Sequence, residues 1–260
     1  MTNVAASFRL DEKVALITGS SRGIGEAMAH AFAEQGATVI LVSRDQAALD
    51  AVATSINEGT TDSGGKAVAI ACNTGDSDAI AALFERVRND FGRLDVLVNN
   101  AATNPYAGAA IDIDEAAYDK TFDVNVKGCF QMSQHAARMM VAQGGGSIVN
   151  VASVAGVSPG EGLVVYSMTK ATVISMTQGL AKELGPKGVR VNAIAPGLVE
   201  TKLASALIEN EKLHRMILGG TPLRRHAQPH EIVGAALYLA SDASSFTTGS
   251  VMVVDGGSLA

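Results

Sequence analysis

Seven short apolar runs recur along this chain, separated by longer stretches with helical periodicity. The runs are VALIT (14–18), TVILV (38–42), AVAIA (67–71), DVLVN (95–99), SIVNV (147–151), VRVNAI (189–194) and VMVV (251–254). Most are continuously apolar, as parallel strands covered on both faces must be. The helical segments lie near 24–35, 46–57, 77–90, 116–142, 166–184 and 229–239. Alternation of this kind builds βαβ units and an α/β fold with one doubly wound parallel sheet of about seven strands, helices on both faces. A chain of 260 residues has room for two domains, but no linker, repeat or low-complexity tract interrupts the pattern. The expectation is a single domain over 1–260, with an N-terminal tail over 1–12.

Composition excludes several classes. The net charge is −6 with no block of like charge, which gives no footing for nucleic acid. No apolar run reaches the roughly 18 residues of a membrane span, and the first residues lack the apolar core of a signal peptide. The two cysteines, Cys72 and Cys129, have no paired spacing and suit small core positions in a reducing cytoplasm.

The first strand hands over to a helix through TGSSRGIG (18–25). Gly19, Gly23 and Gly25 permit positive φ and let backbone N–H groups approach a pyrophosphate at the positive end of a helix. The spacing differs from both G-x-G-x-x-G and the P-loop. The second strand ends in Ser43 and Arg44, where an NAD-selective site places an acidic acceptor for the ribose. Arg44, with Arg22 from the glycine loop, can instead grip a 2′-phosphate, so the cofactor expected is NADP(H). The alternative leaves Arg44 solvated and gives the ribose to Asp45. Asn73 either accepts from an adenine amino group or forms a turn.

Tyr166 and Lys170 are four positions apart, which on a helix places them on one face, about 6 Å along the axis. Carbonyl reduction needs a hydride and a proton. A phenol with its ordinary pKa of about 10 is a poor relay, and a neighbouring ammonium lowers that value. Lys170 is therefore expected to acidify Tyr166. Ser153 follows the fifth strand, at the sheet edge where ligands bind, and its hydroxyl can donate to a substrate oxygen. Asn125 is a polar residue in the mostly apolar stretch FDVNVKGCF. Taken singly, each has a bland reading: an anchoring Tyr, a solvated Lys, a loop Ser, a helix-kinking Asn. His226 and His230 have i, i+4 spacing, but Pro229 lies between them and no Cys or acidic cluster is near, so no metal site is expected. His30, His135 and His214 read as isolated.

Together TGSSRGIG, NNAA (99–102), Asn125, Ser153, YSMTK (166–170) and PGLVET (196–201) resemble the short-chain dehydrogenase/reductase family, over Lys13 to Gly257. NNAA stands for the commoner Asn-Asn-Ala-Gly, and Asn73 for a commoner Asp. The resemblance implies a Rossmann-like fold and a catalytic set of Asn125, Ser153, Tyr166 and Lys170, with Asn125 holding a water that leads to Lys170 and Lys170 bonding the nicotinamide ribose. It adds Thr18, Ser21, Ile24, Asn99 and Ala101 to the cofactor contacts, and Pro196, Gly197, Val199 and Thr201 beyond the sixth strand.

No charge occurs from Ala171 to Ala181, and the helix over 124–142 carries only Lys127 and Arg138. Helices apolar nearly all round are expected to be buried on every side. With the family's habit of packing this pair and the last strand against other copies, the expectation is a homotetramer. Residues 201–220 read as an amphipathic substrate lid with Leu203, Leu207, Met216 and Ile217 available to a ligand. The mostly apolar rim favours NADP(H)-dependent reduction of medium-sized ketones or aldehydes, or oxidation of the matching alcohols. The close rival is a 3-oxoacyl-carrier-protein reductase, disfavoured by few cations near the helix FQMSQHAARMM. A non-catalytic cofactor-binding or scaffold protein would be expected to lose the Tyr or Lys.

Overall fold

The computed structural model describes residues 4–60 and 63–260. The seven runs form one parallel sheet: β1 (Val14–Thr18), β2 (Thr38–Ser43), β3 (Lys66–Ala71), β4 (Val96–Asn99), β5 (Gly146–Val151), β6 (Val189–Pro196) and β7 (Val251–Val254), in the order 3-2-1-4-5-6-7. The order reverses between β1 and β4, which opens a crevice beyond their C-terminal ends.

The helices are α1 (Gly23–Glu34), α2 (Gln46–Gly59), α3 (Ser77–Phe91), α4 (Glu115–Phe122), α5 (Cys129–Ala142), α6 (Val164–Leu184), α7 (Ser205–Glu209), α8 (Glu211–Gly220) and α9 (His230–Ala240). Strand side chains alternate between two cores. Ala15, Ile17, Val39 and Leu41 pack under Met28, Phe32, Leu49 and Leu239 on the side of α1, α2 and α9. Leu16, Ile40, Leu97 and Ile148 pack under Phe84, Met132, Met140 and Leu184 on the side of α3, α5 and α6. Continuous apolarity in each strand follows, because both faces are covered. Among the described residues no helix is long and apolar enough to cross a membrane.

Three expectations need correction. The stretch ahead of β1 is docked where it is described: Leu10 is fully buried and its N–H donates to the Gln35 carbonyl at 2.8 Å. Residues 1–3 of that tail lie outside the described residues. The long helix expected over 116–142 is α4 and α5 joined by a π-helical segment, Asp123–Gly128. Finally, the burial expected for α6 on every side is not completed within the single chain. Val164, Met168, Thr172, Ser175 and Gly179 are exposed in the single chain, an uncharged stripe opposite the buried Lys170 and Val173.

Candidate active site

The β1–α1 turn is a backbone cradle. Gly19 and Gly23 have φ of +66° and +62°, the left-handed region that favours glycine. A Cβ on Gly25 would run into the Gly19 carbonyl and lie 2.5 Å from Asn100 Nδ2. Arg22 is the N-cap of α1, and its side chain makes no capping bond, so the first N–H groups of the helix have no side-chain acceptor. Ile24 packs against the core on the α1 side, and Ser21 stays half-exposed beside the cradle.

The cradle is clamped from two strands. Gly19 N donates to the Val42 carbonyl at 2.7 Å, and Ser20 Oγ accepts from Val42 N at 2.9 Å. Thr18 Oγ1 accepts from Asn100 N and Ala101 N, each at 3.0 Å, while Asn100 Nδ2 donates to the Thr18 and Gly19 carbonyls at 2.9 and 3.2 Å. Sequence reasoning passed over Ser20 and Asn100; for Asn100 its place in NNAA was the available signal. Asn99 turns the other way. Its Nδ2 donates to Ser133 Oγ and Asn150 Oδ1, both at 2.9 Å, beneath α5, and its Oδ1 is buried without a partner.

Arg22 and Arg44 are exposed, and among the described residues neither guanidinium has a hydrogen bond or ion pair. Asp45 is engaged: its side chain caps α2 by accepting from Ala48 N at 3.1 Å. Ser43 Oγ accepts from Asp45 N at 3.3 Å. Asn73 Oδ1 accepts from Gly75 N at 3.2 Å, the local turn that was one of its two readings.

At the C-terminal edge, Ser153 follows β5 and its Oγ accepts from Ala155 N at 3.1 Å. Tyr166 and Lys170 share one face of α6, with Nζ 5.6 Å from the ring centre. Lys170 is buried, and its Nζ donates to the Val151 carbonyl at 2.8 Å. The expected acidification of the phenol is not found here. Burial pushes Tyr166 up to about 12, against a lowering by its hydrogen bond with Ser153. Burial likewise pushes Lys170 down to about 8. The ammonium is spent on a carbonyl, so desolvation outweighs charge coupling. Asn125 is buried in the π-helical segment. Its Oδ1 accepts from Thr103 N at 2.8 Å, and its Nδ2 donates to the Thr103 carbonyl and to Thr169 Oγ1 at 2.9 and 3.1 Å.

Pro196 ends β6, and Gly197 N donates to the Val254 carbonyl at 3.0 Å. Val199 bridges Ala227. Thr201 lies against the cradle: a Cβ on Gly23 would sit 3.4 Å from its Cγ2. α7 and α8 then follow with no buried residue; Leu203 and Met216 are exposed, Leu207 and Ile217 partly covered. His214 is not isolated, because its Nε2 lies 3.0 Å from His226 Nδ1.

Comparison with known proteins agrees with this geometry. A family described as enoyl-(acyl carrier protein) reductase matches residues 19–258. The 3-oxoacyl-[acyl-carrier-protein] reductase FabG of Thermotoga maritima is 41% identical, covering 96% of this chain and 98% of its own. Dehydrogenase/reductase SDR family member 4 of Oryctolagus cuniculus is 38% identical over 95% of this chain and 94% of its own. A gluconate 5-dehydrogenase from Burkholderia cenocepacia, solved with NADP and tartrate, superposes with a TM-score of 0.94 at 32% identity, covering 99% of each chain. The chain is a member of the short-chain dehydrogenase/reductase family, an oxidoreductase of the nicotinamide-dependent kind.

Proposed function

We propose that the protein is an NADP(H)-dependent oxidoreductase interconverting apolar ketones or aldehydes and their alcohols, with Tyr166 as general acid and base. The observation that carries this reading is one cluster at the sheet's C-terminal edge: a buried lysine, a phenol one helical turn away and the Ser153 hydroxyl on that phenol. The cradle fits a dinucleotide. It offers uncapped N–H groups of α1, glycines where a Cβ would intrude, and two unpaired guanidiniums for a 2′-phosphate. The engagement of Asp45 as a helix cap supports the phosphate reading over a ribose contact.

In this reading the nicotinamide, when bound, supplies or accepts the hydride. Ser153 donates to the substrate oxygen and steadies the charge developing there. Tyr166 holds its proton at neutral pH and delivers it to that oxygen. Lys170, 5.6 Å from the phenol ring centre, would bond the ribose and favour the phenolate as it forms. Both amide hydrogens of Asn125 are engaged, so a water it holds toward Lys170 would meet its backbone carbonyl. Thr18, Ala101, Pro196, Gly197, Val199 and Thr201 would complete the dinucleotide site through the loops they shape. Asn99 would contribute through its backbone alone.

The rival substrate is a 3-oxoacyl thioester on a carrier protein, favoured by the Thermotoga maritima relative. A substrate panel followed by NADPH absorbance, with NADH in parallel, separates the readings. Simple ketones and diketones turned over faster than β-ketoacyl thioesters support the first; the reverse order supports the rival. The uncharged stripe on α6 suits a second copy of the chain and supports a homotetramer. A sedimentation mass of one chain at micromolar concentration would refute that assembly.

A further inference from the structure

The excursion over 201–220 leaves and rejoins the body through a pinned neck. Ala227 N donates to the Leu198 carbonyl and Glu200 N to the Ala227 carbonyl, both at 2.9 Å. Beyond the neck, α8 buries no residue, and its Glu211–Arg215 pair, at 3.7 Å, is internal to the helix. Besides the cap residue Thr221, whose Oγ1 donates to the Ile217 carbonyl at 3.0 Å, two side chains of the returning segment hold it. Arg224 grips the carbonyls of its last turn, Leu218 and Gly219. His226 takes its middle, through His214, with ring centres 5.2 Å apart. The other ring nitrogen of His226, Nε2, lies 3.1 Å from Glu200 Oε2, which also accepts from Gln228 Nε2 at 2.6 Å.

We propose that Glu200, His226 and His214 form a latch that positions the lid helix α8, closed with no more than one proton added to the imidazole pair and opened by the second. This rests on the reading of 201–220 as the cover of the reacting site. A carboxylate can only accept, so His226 Nε2 carries a hydrogen. With both rings neutral, His214 Nε2–H donates to His226 Nδ1. With one proton added, His226 donates from both nitrogens, to Glu200 and to a His214 that has changed tautomer. With two added, two N–H groups face each other on adjoining cations, and the bond cannot exist.

Glu200 stays ionised across this range, because hydrogen bonds from Gln228 and His226 hold its carboxyl below the usual value. The other charges on the packed segments are largely committed. Arg225 is held by both oxygens of Glu231 at 2.6 Å, Arg215 by Glu211, and Arg224 by the end of α8. Glu209, Lys202, Lys212 and His230 complete the set, and all four are exposed. Glu200 is thus the anion bonded to the pair. The latch also sits one residue from Thr201, which touches the glycine cradle. His214 and His226 are therefore positioning residues, acting on substrate through the lid.

The test is hydrogen exchange of the full-length enzyme, corrected for intrinsic rates, with α1 as internal control. Exchange over 211–220 should accelerate several-fold as the pH falls from about 7.5 to about 5, because the proton that opens the latch is the second one added to the pair. His214→Phe keeps a ring in place without the hydrogen bond or the charge, and His226→Leu removes both. Each should exchange fast at the higher pH and respond little to acid. In each, KM for the carbonyl substrate should rise about three- to tenfold, the loss of one modest contact, while kcat changes less than twofold. Wild-type exchange over 211–220 in both variants at the higher pH would overturn the latch. Faster exchange with an unchanged KM would instead overturn the reading of 201–220 as the substrate cover, and with it the positioning role.

Discussion

Lys170 Nζ stands 5.6 Å from the centre of the Tyr166 ring and donates to the Val151 carbonyl, not to the phenol. Two groups that would help each other ionise are instead both held toward neutrality by burial, the phenol near 12 and the amine near 8. The resting phenol is thereby a proton donor, the form that carbonyl reduction consumes.

Tyr166→Phe follows directly. The ring and its packing remain, and only the transferable proton is lost. Turnover should fall about 10²–10⁴-fold, the range for loss of a general acid. The dissociation constant for NADPH, read by equilibrium titration, should stay within about twofold. A variant that keeps more than a tenth of wild-type turnover would remove Tyr166 from the chemistry.

Lys170 makes a stability claim with a definite sign. Its folded pKa, about 8, lies below the ordinary lysine value of 10.5, so between these values the unfolded chain binds more protons. Stability therefore rises with pH across that window, and the cost of burying the ammonium is fully present below about 8. In the cofactor-free protein, Lys170→Met should remove this dependence. The stability difference, variant minus wild type, should shrink by on the order of 1–3 kcal/mol between pH 7.5 and pH 10.5. Denaturant melts at both pH values measure it. A difference that does not change with pH would mean the amine is solvated.

Arg44→Asp replaces an unpaired guanidinium beside the end of β2 with an acceptor suited to a ribose hydroxyl. KM for NADPH should rise at least about tenfold, as expected for losing a charge-assisted contact, while kcat/KM with NADH holds or improves. A wild type that already prefers NADH would contradict the phosphate-binding role of Arg22 and Arg44.

The strands and the glycine cradle were legible in the sequence because each obeys a local rule. Parallel strands covered on both faces must be apolar throughout, and a tight turn against a helix start needs glycine. Alternation alone carries the fate of Asn99. Leu97 packs under α5, so Asn99, two residues on, faces the same way and meets Ser133. What the sequence hid depends on depth or on distant pairing. The fate of the Tyr166 proton depends on how deep the phenol lies. His214 and His226 are 12 residues apart and meet only because the lid folds back on its own neck. The wider turn at Asp123–Gly128 leaves no periodicity that a stretch as short as FDVNVKGCF would betray.

That π-helical segment yields the last prediction. Gly128 closes it, buried, where α5 crosses the loop after β3. A Cβ there would collide with the Thr74 carbonyl oxygen, 3.0 Å from that carbonyl's carbon and 3.2 Å from the Asp123 carbonyl oxygen. All three contacts are backbone, and none can swing aside as a side chain would. Gly179 on α6 offers the contrast, because a Cβ there meets nothing within 4 Å in the single chain. Gly128→Ala should therefore destabilise by about 2–4 kcal/mol through overpacking, lowering Tm by roughly 5–10 °C, whereas Gly179→Ala should stabilise the isolated fold by about 0.5–1 kcal/mol. The same displacement would move Asn125, three residues earlier, off Thr103 and Thr169. Residual folded Gly128→Ala should accordingly lose kcat while keeping its KM for NADPH, since the cradle is built from β1, β2 and β4. Calorimetry and steady-state kinetics on the two glycine variants read both effects. A Gly128→Ala protein as stable as wild type would mean that α5 can retreat from the Thr74 carbonyl without loss.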